Sequence, residues 1–262
     1  MDGTINSLLF FGVMGGCMGE ENQIIADDRL IVALDVDTFE KMKALVETLG
    51  DSISFYKVGM ELYYGAGRKT VRYLRDNGKK IFLDLKLHDI PNTVGHSVAS
   101  VTRLGVNLIT VHAQGGRAMM EAAARSAWIS AEELGVERPK ILAVTVLTSF
   151  DDEGWQEIGG HLPIQEHVLQ LAKLAKDSGV DGVIASPREA AAIRKLCGPD
   201  FEIVTPGIRP AFAQTDDQRR IATPSQALAD GSSQLVIGRP ITRAVNPTAA
   251  VRLILDEMRE AK

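Results

Sequence analysis

Eight short apolar runs recur along this chain, each followed by a longer stretch with helical spacing, and that alternation limits the folds open to it. The runs lie at 30–36, 55–60, 80–86, 107–113, 140–147, 181–186, 202–207 and 234–239. Strands that alternate with helices form parallel sheets, because a parallel pair needs a crossover long enough to hold a helix. Leu45, Val46 and Leu49 share one helical face after Thr38, a residue type that caps helix starts. Further helical stretches are expected from Pro91 through Leu104 and over 116–134, 164–179, 187–197 and 247–260. Gly50, Gly78, Gly105, Gly135 and Gly179 stand where such helices end. Eight strand–helix units without a linker-like Ser/Pro tract predict one (β/α)8 domain, a TIM barrel, over residues 27–262. A doubly wound open sheet is the alternative, but no G-x-G-x-x-G follows the first run.

Composition fits one large α/β domain. The chain has 262 residues, 45% of them hydrophobic and only 5% aromatic, so its core must be built from Val, Ile, Leu and Ala. A net charge of −5 argues against a nucleic acid as the main partner, although a local basic cluster still suits phosphate. Cys17 and Cys197 form no metal or redox motif, which makes a reducing cytoplasm the expected location. Residues 8–18 are apolar but too short to span a bilayer, and no Lys or Arg precedes Arg29. Residues 1–26 are therefore expected to be an extension outside the fold, with Met14 and Met18 as alternative starts and a membrane- or partner-binding helix as the second reading; no membrane is expected as a partner of the folded domain.

Active sites of such barrels lie at the C-terminal ends of the strands. Collecting polar residues there gives Asp35, Lys57, Asp84, Lys86, His112, Thr145, Thr148, Ser186, Thr205, Arg209 and Arg239. Charges are rare in strands kept only for stability, and here five strands end in them. Thr145, Ser186 and His112 are read equally well as hydrogen-bonded interior groups.

The third run carries the most chemistry. It leaves Ile81-Phe82-Leu83 as Asp84-Leu85-Lys86-Leu87-His88-Asp89-Ile90-Pro91-Asn92-Thr93. Two-residue alternation puts Asp84 and Lys86 on one face, with Leu83, Leu85 and Leu87 on the other. Asp89 follows three residues after Lys86, ahead of a proline suited to a helix start. A cation among carboxylates is costly to desolvate unless the charges are tightly paired or used, so a structural ion pair and a catalytic group both remain open. An ammonium flanked by carboxylates serves as a proton donor rather than as a Schiff-base nucleophile.

The last two runs end in Thr205-Pro206-Gly207-Ile208-Arg209 and Ile237-Gly238-Arg239-Pro240. Loops after strands 7 and 8 are the usual phosphate seat of the barrel. There Gly238 admits the close approach of backbone, and Arg239 can fork two oxygens. Residues 208–223 form a long polar connection suited to a lid, with a plain solvated loop as the alternative. No metal-ligand cluster, dinucleotide fingerprint or G-x-S-x-G elbow is present, so neither metal nor cofactor is expected.

With these residues in place, the chain resembles the bacterial orotidine 5′-phosphate decarboxylases over about residues 28–260. The resemblance rests on Ala33-Leu34-Asp35, Tyr56-Lys57-Val58-Gly59, the 84–93 stretch, Val144-Thr145-Val146-Leu147-Thr148-Ser149, Thr205–Arg209, Asp217-Gln218-Arg219-Arg220 and Val236–Thr242. It implies a homodimer that converts orotidine 5′-monophosphate to uridine 5′-monophosphate and CO2 without cofactor or metal. Lys86 then resembles the acid that protonates C6 of the pyrimidine, and Asp84 the group set against the substrate carboxylate. Asp89, Ile90 and Thr93 are expected to reach the partner subunit's site. Asp35 and Lys57 match ribose-hydroxyl contacts, with Lys57 also completing the alternating charge array. Thr148 matches a pyrimidine-edge contact, Arg209, Gln218, Gly238 and Arg239 match the grip on phosphate, and Pro206 is a further substrate contact.

Metal-dependent sugar-phosphate lyases similar to 3-keto-gulonate 6-phosphate decarboxylase and hexulose-phosphate synthase share the Asp-x-Lys-x-x-Asp strand. They need acidic metal ligands near the end of the second strand, where this chain has Lys57. A non-catalytic nucleotide-binding barrel predicts gaps in the charged set, and every expected position is filled.

Overall fold

A computed structural model of the chain describes residues 24–213 and 221–260. Eight parallel strands close into a barrel in sequence order, and the eighth returns to pair with the first. They are β1 (Leu30–Ala33), β2 (Phe55–Gly59), β3 (Lys80–Leu87), β4 (Leu108–His112), β5 (Lys140–Val144), β6 (Gly182–Ile184), β7 (Glu202–Thr205) and β8 (Gln234–Ile237). Each predicted run holds a strand. Most strands stop short of the C-terminal end of their run, where the polar residues peel off the ladder and form the mouth.

Local chemistry sets the helices between them. Thr38 accepts the Lys41 amide at 3.3 Å and caps the helix Phe39–Leu49. The five glycines expected to close helices all have positive φ, the region that costs other residues most. Ile24, within the stretch expected to be an extension, packs partly buried against the outer core.

Two apolar layers result from the alternation of side chains along each strand. One lies between strands and helices. The other fills the barrel with Ile31, Phe55, Phe82, Leu108, Leu142, Val204 and Val236. Burying such side chains stabilises by about 1.5–3 kcal/mol each, whereas exposed ion pairs contribute about 0–1 kcal/mol, so the plug holds the barrel and the mouth is left for chemistry. Two residues further along the same faces stand Ala33, Lys57, Asp84, Thr110 and Val144, where the plug gives way to charge.

At the opposite rim one device occurs three times. Asn107, Asp181 and Ser233 each precede an even-numbered strand. Each donates its amide to the carbonyl of the second residue of the preceding strand, Ile81, Ile141 or Ile203, at 2.8–2.9 Å. Each also accepts that isoleucine's N–H through a side-chain oxygen, at 2.8, 2.7 and 3.0 Å respectively. Asp181 in addition takes a two-pronged bond from Arg138. These clasps satisfy backbone groups that a strand end otherwise leaves to water.

Candidate active site

The strand ends converge on a cavity of about 250 Å3 at the C-terminal mouth. Asp35, Lys57, Asp84 and Lys86 line one side, and Pro206, Gly207, Arg209, Gly238 and Arg239 the other, with Val146, Leu147 and Thr148 between them. Residues from widely separated parts of the sequence thus meet as the strand-end reading predicts.

The four charges of the first side form a continuous array. Lys57 Nζ donates to Asp35 Oδ1 at 3.0 Å and lies 3.8 Å from Asp84 Oδ2, and Lys86 Nζ donates to that same oxygen at 2.8 Å. The Lys57 and Asp84 side chains are only 12% and 11% exposed, too enclosed for ordinary surface bridges. Taking such charges out of water costs several kcal/mol per ion, and a packed apolar pair is as stable or more so. Stability alone does not account for the array.

Two glycines make room for it. A Cβ at Gly59 would stand 3.1 Å from Lys57 Nζ, and one at Gly238 would stand 3.4 Å from Asp35 Oδ2. Both glycines flank the Asp35–Lys57 link, so a side chain at either would press on the array itself.

The backbone at Lys86 departs from the simple alternation expected for β3. Its φ is +52°, the one positive value at a non-glycine among the described residues. The β3–β4 register shifts there: Leu83 faces Ile109, but Leu87 faces Val111. Asp84 and Lys86 still share the cavity, while Leu85 and Leu87 line a separate shallow surface with Thr93 and His96. Thr110, which the sequence reading overlooked, spans the bulge with its hydroxyl. Its position two residues after Leu108 on the interior face was the available signal.

Other expected residues separate into groups. Thr145 donates to the Ile184 carbonyl at 3.0 Å, Ser186 caps the helix Pro187–Cys197, and Thr205 bonds Ser232 at 2.8 Å, so all three serve the scaffold. None of them lines the cavity. His112 ends β4 with its ring against His88, centroids 5.1 Å apart. Burial, then the neighbouring His88 and Lys86, hold its imidazole below the ordinary value. Asp89, Ile90 and Thr93 are exposed and lie outside this cavity, and Ile90 leaves 65% of its surface open. Gln218 lies outside the described residues.

The connection after β7 is tied at its base. Ile208 and Ala222 form a bridge, and the Arg209 amide donates to the Ala222 carbonyl at 2.9 Å. That clasp holds Arg209, itself 8% exposed, against the cavity.

Among the described residues no group of three or more His, Cys, Asp or Glu is placed to hold a metal ion. No described helix is long and apolar enough to cross a membrane. The charged lining comprises four cations and two carboxylates, a surplus of two positive charges in a chain that is negative overall. Such a cavity favours an anionic ligand.

An eight-stranded barrel with an alternating carboxylate–ammonium array at its mouth is the frame of an enzyme. The chain belongs to the orotidine 5′-phosphate decarboxylase / HUMPS family, whose model matches residues 28–254. It is 48% identical to the orotidine 5′-phosphate decarboxylase of Moorella thermoacetica, over 90% of this chain and 94% of that protein. The corresponding protein of Geobacter sulfurreducens is 47% identical, with 89% and 97% covered. The crystal structure of orotidine 5′-phosphate decarboxylase from Lactobacillus acidophilus superposes with a TM-score of 0.78 at 46% identity, covering 87% of this chain and 98% of that one.

Proposed function

We propose that this chain decarboxylates orotidine 5′-monophosphate to uridine 5′-monophosphate, in pyrimidine synthesis, as a cytoplasmic homodimer needing neither metal nor cofactor. The Asp35–Lys57–Asp84–Lys86 array, beside an arginine-lined recess in one cavity, carries the reading. Arg209, Gly238 and Arg239, with Pro206 beside them and Gln218 from the lid, hold the phosphate. Asp35 and Lys57 take the ribose hydroxyls, and Thr148 meets the pyrimidine edge.

Loss of CO2 from C6 leaves an electron pair in the plane of the ring, where the pyrimidine π system cannot spread it. The Lys86 ammonium stabilises that charge as it forms and then transfers a proton from Nζ to C6. At an effective dielectric of about 20, two unit charges about 4 Å apart attract by about 4 kcal/mol. Enzymes lower barriers by about 8–23 kcal/mol, so one lysine supplies only part of what is required. The array is already oriented before reaction, which adds electrostatic stabilisation without reorganisation. Binding energy from the distant phosphate supplies more. Asp84 beside the departing carboxylate opposes the ground state, a smaller contribution.

Asp89, Ile90 and Thr93 complete the partner's site. Their exposure beyond their own cavity supports that assignment. The direct test is the fall in orotidine 5′-monophosphate absorbance with purified protein, with and without chelator. No turnover sinks the proposal, and turnover abolished by chelator sinks the metal-free part of it.

A further inference from the structure

We infer that Thr110 is a positioning residue: its hydroxyl fixes both the carboxylate of Asp84 and the backbone that carries Lys86. This deepens the decarboxylase reading and rests on it.

Thr110 is fully buried on β4. Its Oγ1 accepts the Lys86 backbone N–H at 2.9 Å and lies 3.0 Å from Asp84 Oδ1. The amide can only donate, so the single hydroxyl proton goes to the carboxylate. Both bonds therefore have a fixed direction. With Oδ1 held by Thr110, Oδ2 is left facing both ammoniums, at 2.8 Å from Lys86 and 3.8 Å from Lys57. A carboxylate held at one oxygen cannot swing about its last torsion to follow a moving lysine.

The second bond answers the bulge. Between the pairs Leu83–Ile109 and Leu87–Val111, β3 advances four residues while β4 advances two. The Lys86 amide falls in that gap, and the Thr110 side chain takes the place of a neighbouring strand's carbonyl. The left-handed backbone at Lys86 is strained for a side-chain-bearing residue and persists only where its surroundings hold it. Thr110 is one of those constraints, and it comes from the strand next to the one it restrains.

Valine matches threonine in shape and suits a strand, but it leaves the Lys86 amide and Asp84 Oδ1 without this partner. Thr110→Val is expected to lower kcat about 10²-fold, the scale of a small misplacement at a reacting centre, with little change in the Kd for uridine 5′-monophosphate. Thr110→Ser, which keeps the hydroxyl, is expected to retain most of kcat. Wild-type turnover is measured first, since its absence would defeat the decarboxylase reading itself. Given active wild type, a folded Thr110→Val protein with undiminished kcat overturns the inference, as does a serine variant that falls equally. If the valine variant does not fold, Thr110→Cys replaces it, a similar size with a weak donor; equal kcat in the Ser and Cys variants then overturns it. Amide exchange at Lys86 reads the same hydroxyl without turnover. Faster exchange in the valine or cysteine variant than in the serine variant supports the inference, and equal rates refute it.

Discussion

The side chain of Lys86 turns back to Asp84, two residues behind it on β3, and closes to 2.8 Å between Nζ and Oδ2. The same lysine has a left-handed backbone. One residue thus combines an ion pair with local strain, and substitutions can separate the two. Lys86→Ala is expected to abolish turnover while uridine 5′-monophosphate still binds. Lys86→Gly should be equally inactive yet more stable than the alanine variant by about 1 kcal/mol, because glycine adopts positive φ without penalty. Urea denaturation of the two variants measures this, and alanine proving the more stable would argue against strain at this position.

At the far side of the cavity, Arg239→Ala should weaken binding of phosphorylated ligands and lower kcat as well, since binding energy remote from the reacting centre contributes to the rate. Affinity for uridine, which lacks the phosphate, should barely change. Added guanidinium ion is expected to restore part of the lost rate. Equal losses of affinity for uridine and its monophosphate would place the phosphate elsewhere.

Assignment of Asp89 to the neighbouring site can be checked by mixing. Lys86→Ala and Asp89→Ala proteins, each nearly inactive, are dissociated together and allowed to reassociate. Random pairing makes half of the dimers hybrid, and each hybrid holds one site with both native residues. About a quarter of wild-type activity should return. If Asp89 served its own subunit, no mixture would contain an intact site and mixing would restore nothing.

Histidine burial predicts the acid limb of stability. Burial, then His88 and Lys86, hold His112 below its ordinary value of 6.5, and burial beside Trp155 does the same to His167. The unfolded chain therefore binds these protons at higher pH than the folded one. The contribution of the neutral rings is complete above about pH 6.5 and is lost as pH falls from there toward the folded values. The urea midpoint should drop between about pH 7.5 and about pH 5.5, and less so in His167→Gln, which lies away from the cavity. A drop identical to wild type in both His167→Gln and His112→Gln would remove these rings from the account.

Much of this was legible because the barrel translates local patterns into positions. Alternation from Phe82 to Asp84 puts a plug residue and a carboxylate on one interior face, and Lys86, two residues on, joins them in the cavity through a bulge that alternation does not describe. What sequence hid was long-range. The bulge at Lys86 depends on β4 advancing more slowly than β3, a relation between strands that no local window contains. Thr110 escaped because its one signal, a place two residues after Leu108 on the interior face, is weak in an apolar-flanked threonine, whereas His112 beyond it carries a titratable ring. Thr145 and Ser186 occupied the right strand ends but turned to backbone partners, an outcome that hydroxyls permit and charges resist.

The clasps at Asn107, Asp181 and Ser233 carry a consequence for how such a chain tolerates recombination. They tie β3 to β4, β5 to β6 and β7 to β8, leaving the joints between those pairs without this side-chain device. Three of the four consecutive strand pairs thus share the device, and among the described residues β1 and β2 do not. A chimera with a relative joined near Val136 or near Pro199 inherits every clasp whole from one parent. A junction between β3 and β4, or between β5 and β6, takes the clasping side chain from one parent and the strand backbone it holds from the other. Junctions inside a clasped pair therefore rely on strand geometry matched between two parents, and junctions between pairs do not.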